Sequence, residues 1–157
     1  IPTITLKEVI IFPEIRFKNK KQRIRYNKLV RDVKKTLPLA KEINRAVIET
    51  YEYLQTLPNN KAREAHLKMV EKGLKQQYTP VMKKLTFSQG KLLIKLVNRE
   101  TKSSSYELVK AFMGPLKAGF YQTFAALFGE SLKKEYHPED DDKMTERIII
   151  LVENGQL

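Results

Sequence analysis

The chain has 157 residues, 41% of them hydrophobic and 31% charged, with no Cys and no Trp. That is long enough for one domain with its own core and too apolar for a disordered polymer, while zero Cys excludes disulfides, thiolate metal sites and cysteine nucleophiles. The net charge of +12 is uneven: residues 1–37 hold 11 Lys/Arg against 3 Asp/Glu and residues 138–157 hold 2 against 6, so an anionic partner is expected, or the two ends resting on each other.

In chain order, Thr3 to Phe12 is rich in Ile, Val and Thr and reads as one or two short strands stopped by Pro13. The best strand partner in the sequence is Arg147 to Val152, which otherwise reads as helix. Without it the segment pairs with another chain or lies extended over helices.

Arg16 to Arg25 carries Arg16, Lys18, Lys20, Lys21, Arg23 and Arg25, with Lys28 and Arg31 beyond, and reads as an exposed basic loop leading into a helix. It is either a contact for nucleic acid or phospholipid, or a solvated linker.

Tyr26 to Leu57 is the first long helical pattern. Leu29, Val33, Leu37, Ala40, Ile43, Val47, Tyr51 and Leu54 recur at helical spacing on one face. Pro38 removes a backbone donor, so a kink or break is expected there. Leu57-Pro58-Asn59-Asn60 reads as a turn with Asn60 as the helix cap. Lys61 to Lys84 repeats the stripe with Leu67, Val70, Leu74, Tyr78 and Val81, and Leu85 follows. The pair is therefore an antiparallel helical hairpin, kinked again at Pro80.

Thr86 and Gln89 match a T-x-x-Q capping box, and the following helix is expected to bury Phe87, Leu93, Leu96 and Val97. Lys91, Lys95, Arg99 and Lys102 fall on its other side. Ser104 and Glu107 form a second cap before a helix ending at Gly114. Pro115 opens an apolar helix of roughly 14 residues, closed by Gly129, too short for a membrane span and suited to the core. Pro138 with the acids Glu139 to Asp142 reads as a helix start, Met144, Ile148, Leu151 and Val152 as its buried face, and Gly155 as its end.

Few residues carry chemistry. Ser88 and Lys91 match S-x-x-K, but the companion S-D-N and K-T-G elements are absent. His137 with the following acids lacks the spacing of a calcium loop, and His66 reads as solvated in a charged helix, so no metal or cofactor is assigned. The sharpest cluster is Gln89, Arg99, Glu100, Ser104, Tyr106 and Gln122. It reads as a helix–helix corner pinned by caps and a salt bridge, or as a small polar pocket.

The elements LTFSQGKLLIKLVNRET (85–101), SYELVK (105–110), FYQTFAALFG (120–129), LKKEYHPEDDDKMTE (132–146) and the closing ENGQL resemble an uncharacterised bacterial family, domain of unknown function 4294. The resemblance extends over nearly the whole chain, RYNKLVRDVKK included. It implies no catalytic residues. It implies an exported protein of Gram-negative bacteria, and a chain beginning at Ile1 fits removal of a leader. The sequence departs from the family at Asn98 and at Lys102-Ser103, where an acidic residue and a glycine are expected. That weakens a special role for the corner.

The expected architecture is a mainly α single domain over 1–157: an extended segment at 1–15, a basic lead-in at 16–25, a kinked antiparallel hairpin at 26–84 and a helical cluster at 85–157. The expected function is a non-enzymatic, periplasmic or cell-envelope protein that binds an anionic lipid, an envelope polymer or a protein through residues 16–35. A cytoplasmic nucleic-acid-binding protein using the same region is the alternative. An enzyme built around Arg99, Glu100 and Tyr106 is the third reading.

Overall fold

A computed structural model describes residues 1–5, 10–102, 138–139 and 142–157. It is mainly α-helical. The described elements are α1 (Lys20–Leu54), α2 (Asn60–Lys83), α3 (Phe87–Lys102) and α4 (Lys143–Glu153). Expectations for residues 103–137, 140 and 141, including the second cap and the apolar helix after Pro115, lie outside the described residues. So do residues 6–9 of the expected strand. Residues 1–5 and 10–17 carry no strand or helix. Arg147 to Val152 is helical, so it offers the N-terminal segment no strand edge.

The described chain divides into two compact units, one from Ile1–Lys34 with His137–Leu157 and the other from Lys35–Tyr136. In the larger unit, the predicted stripe of α1 is buried from Leu37 through Ala40, Ile43, Val47 and Tyr51 to Leu54. Among the described residues, Leu74, Tyr78 and Met82 of α2 and Leu92, Leu93, Ile94, Leu96 and Val97 of α3 are buried with it. The hairpin is antiparallel, because partners move apart in sequence away from the turn. Arg63 donates from Nε to the Leu54 carbonyl (3.2 Å) and from Nη2 to the Leu57 carbonyl (3.3 Å), tying off the end of α1. Farther along, the Tyr53 and His66 rings pack with centroids 4.4 Å apart, tilted at 49°, and Tyr78 hydrogen-bonds Glu42. His66 is therefore half-buried against a ring rather than solvated.

The break expected as one outcome at Pro38 does not occur. α1 runs through Pro38 and α2 through Pro80 without interruption. Each proline is exposed, as are Lys34 and Gln76 four residues earlier, so water can satisfy the carbonyls that lose their partner. The turn also differs in detail. Asn59, not Asn60, is the cap: its Oδ1 accepts from the Ala62 amide at 2.9 Å. The capping box at Thr86 is present, with the Gln89 amide donating to Thr86 Oγ1 (3.2 Å) and the Thr86 amide to Gln89 Oε1 (3.1 Å). Phe87, expected in the core, is exposed beneath the Lys91 ammonium, 4.3 Å from its ring centroid. It sits in the first turn, outside the stripe that begins at Leu92.

In the smaller unit, α4 begins at Lys143 rather than just after Pro138, which lies in a turn. Carboxylates favour a helix start but do not locate it. Here the buried residues Asp142, Thr145, Ile148 and Ile149 set the register, and Met144, expected inside, is exposed. The C-terminus closes as expected. Gly155 has φ +72°, its amide bonds the Val152 carbonyl (3.1 Å), and the Gln156 amide bonds Leu151 (2.8 Å), a Schellman pairing. Arg147 of α4 donates to the Pro13 carbonyl and stands 5.0 Å over the Phe12 ring. The two ends of the chain thus meet through a cation, a carbonyl and a ring.

Burial and the negative Glu42 hold the Tyr78 hydroxyl in its protonated form, pushing its pKa from its ordinary value of 10.0 up to about 12. A raised folded-state pKa contributes stability that is complete below the unfolded value and is lost as pH climbs through the folded one. Denaturant midpoints should therefore fall between about pH 10 and pH 12. Tyr78→Phe should flatten this fall, and an unchanged alkaline profile in that variant would contradict the assignment.

Candidate functional site

The basic run is helical earlier than its charge suggests. Asn19 caps α1, its Oδ1 accepting from the Gln22 amide at 2.9 Å, while Gln22 Oε1 accepts from the Lys18 amide at 2.8 Å. Lys20, Lys21, Arg23, Arg25, Lys28 and Arg31 therefore stand on α1, and only Arg16 and Lys18 precede it. This corrects the expected loop over 16–25. Lysine and arginine are good helix formers, and their run extends the helix back to the first available cap.

Helical spacing separates these cations into two rows. Lys20, Arg23 and Arg31 share one side with Asn27, and Lys21, Arg25 and Lys28 share another. All eight predicted anion-contact residues are exposed. Among the described residues none of them forms an ion pair. The first turn of α1 contains no acid. Cations there face the positive end of the helix dipole, at a cost of about 0.3–1 kcal/mol each. Among the described residues, the two ends meet where Arg147 contacts the Pro13 carbonyl and the Phe12 ring.

Phe17 organises this surface, and charge-based reading of the sequence missed it. Its ring centroid lies 5.4 Å from that of Tyr26, tilted at 53°, and the Arg23 guanidinium lies 5.8 Å from it. A groove opens on each side of Phe17. One, of about 470 Å³, is lined by Asn19, Lys20, Arg23, Ile24 and Asn27 with Phe17. The other, of about 430 Å³, has a floor of Ile15, Phe17, Tyr26, Leu29 and Met144 and a rim that includes Arg16, Lys18 and Arg25. The spacing Asn19-x-x-Gln22 was the local signal for the helix start. No local signal brings Met144 and Leu29 to one groove, because most of the chain separates them in sequence.

The polar cluster is only partly assembled. Glu100 is buried and accepts from Arg99 at 2.8 Å, and Lys41 of α1 stands 3.6 Å from the same oxygen. Lys41 is the member that sequence reading missed. Gln89 is committed to the cap of α3. Ser104, Tyr106 and Gln122 lie outside the described residues. What is described of this corner is a pin between α1 and α3. Glu100→Ala should lower stability by about 2–3 kcal/mol, because it strands a sheltered cation. Lys41→Ala should cost less than about 1 kcal/mol, since the Lys41 side chain is 41% exposed against 11% for Glu100. Equal losses in thermal melts of the two variants would contradict this ranking.

Among the described residues no helix is long and apolar enough to cross a membrane. No curated protein and no solved structure gives a significant match to the chain. The family model described as Domain of unknown function (DUF4294) matches residues 1–151. That span includes α1, α2, α3, the basic run and most of α4, and the chain accordingly belongs to this family.

Proposed function

We propose that the protein is a non-enzymatic binding protein of the cell envelope, and that the basic surface around the start of α1 docks on an anionic surface. The observation that carries this reading is the set of eight exposed cations without ion pairs among the described residues, three of them in the first turn of α1, where the helix end disfavours positive charge. Such clustering costs folding free energy and is offset when an anion arrives. The envelope location rests on the family's resemblance to exported proteins. A lipid leaflet rich in phosphate supplies the anionic surface, at about 1 kcal/mol for each Lys or Arg brought close.

A nucleic acid would use the same cations. Its bases would also need free aromatic faces to stack on. Phe17 already engages Tyr26 and Arg23, and three of the five floor residues of the groove at Tyr26 (Ile15, Leu29 and Met144) are not aromatic. Those two features favour lipid over single-stranded nucleic acid.

The test is cosedimentation with vesicles of phosphatidylglycerol mixed into phosphatidylcholine, across a salt series. Binding should rise with the anionic fraction and weaken steeply with salt. Replacing Arg23, Arg25, Lys28 and Arg31 together by Gln should weaken it by several hundred-fold. Unchanged affinity in that variant would remove the basic surface from the account. Tight binding to single-stranded DNA without binding to vesicles would transfer the surface to the nucleic-acid reading.

A further inference from the structure

The two grooves beside Phe17 differ in a way that the charge does not explain. The groove at Asn19, Lys20 and Arg23 is polar, with Ile24 and Phe17 its apolar members. The groove at Tyr26 is apolar along its floor and basic at its rim. Its floor joins the chain before α1 (Ile15, Phe17), the second turn of α1 onward (Tyr26, Leu29) and the first turn of α4 (Met144). Met144 is exposed at 41%, and Leu29 and Ile15 are half-buried. Apolar side chains from three parts of the chain meet in a cleft of about 430 Å³, within the range of small-ligand sites, yet stay open to water.

We infer that this groove takes one acyl chain of an anionic lipid while Arg16, Lys18 and Arg25 hold its phosphate. The inference rests on the proposed docking to an anionic surface and adds the lipid tail to it. Charge complementarity selects the head: three cations on the rim and no acid among the described lining residues favour a phosphate over a neutral or cationic group. The floor selects the tail. Ile15, Leu29 and Met144 present methyl, methylene and thioether groups, which contact a flexible hydrocarbon chain along its length and offer no face for stacking a base. A thioether adapts to an irregular chain better than a branched side chain does.

Held this way, the lipid joins two kinds of attraction. The rim responds to salt and the floor does not, because hydrophobic burial is not screened. A protein held by both stays on the membrane at ionic strengths that would release a purely electrostatic one.

The experiment uses the full chain and monoacyl phosphatidylglycerol of increasing chain length, below the concentration at which each forms micelles, in calorimetry or NMR titration. Glycerol phosphate serves as the headgroup without a tail. Each two methylenes added should tighten binding roughly tenfold until the groove is filled. Met144→Glu should abolish this chain-length dependence. Ile24→Glu should preserve it, since it adds the same charge to the same basic surface but lines the other groove. If Met144→Glu fails to fold, Met144→Ala removes apolar floor without adding charge and should weaken long chains more than short ones.

Glycerol phosphate binding as tightly as the monoacyl lipid, or equal loss in Met144→Glu and Ile24→Glu, would overturn the tail site and leave the charged surface standing. Vesicle binding without monoacyl binding would do the same. Failure of the unaltered protein to bind anionic vesicles would instead overturn the docking reading on which the inference rests.

Discussion

The fold depends on the continuous apolar stripe of α1. From Leu37 to Leu54 it supplies one wall of the larger unit's core, in which Leu74, Tyr78 and Met82 of α2 and Leu92, Leu93, Ile94, Leu96 and Val97 of α3 are also buried. Val33, one step earlier on the same stripe, is fully buried in the smaller unit. Before Val33 the stripe thins to the half-buried Tyr26 and Leu29, and charge takes over. The same helix is thus a core element for most of its length and a cationic tip at its start. That division follows from where its apolar residues stop, not from any change in backbone structure.

The polar contacts follow the same logic. Where α1 is packed, its charged neighbours are paired: Lys41 with Glu100, and Glu42 with the Tyr78 hydroxyl. Where α1 is exposed, its cations have no carboxylate partner among the described residues. A helix designed only for stability would carry acids in its first turn. Lys20, Lys21 and Arg23 stand there instead, so the site's chemistry is positive charge held in place by the Asn19 and Gln22 cap and arranged around Phe17.

Local rules made much of this legible in the sequence. The spacing of Leu37 to Leu54, the hairpin at Leu57 to Asn59, the Thr86–Gln89 box and the Gly155 closure each depend on residues within a turn or two of one another. Misreadings arose where local chemistry has two outcomes. Pro38 breaks a helix or sits on its wet side, and burial decides between these. The charged run from Lys20 reads as loop by polarity and as helix by propensity, and the Asn19 cap decides. Contacts across long separations left no local trace at all. Lys41 and Glu100 become neighbours, and Met144 and Leu29 come to line one groove, only through packing, and the second of these turns a basic segment into a groove with a floor.

The most direct measurement of the central claim is amide hydrogen exchange of the full chain with and without anionic vesicles. The account predicts added protection at residues 15–31 and at the first turn of α4 around Met144, with α2 unchanged. Protection centred on α2, with the start of α1 exchanging as it does in free solution, would contradict it.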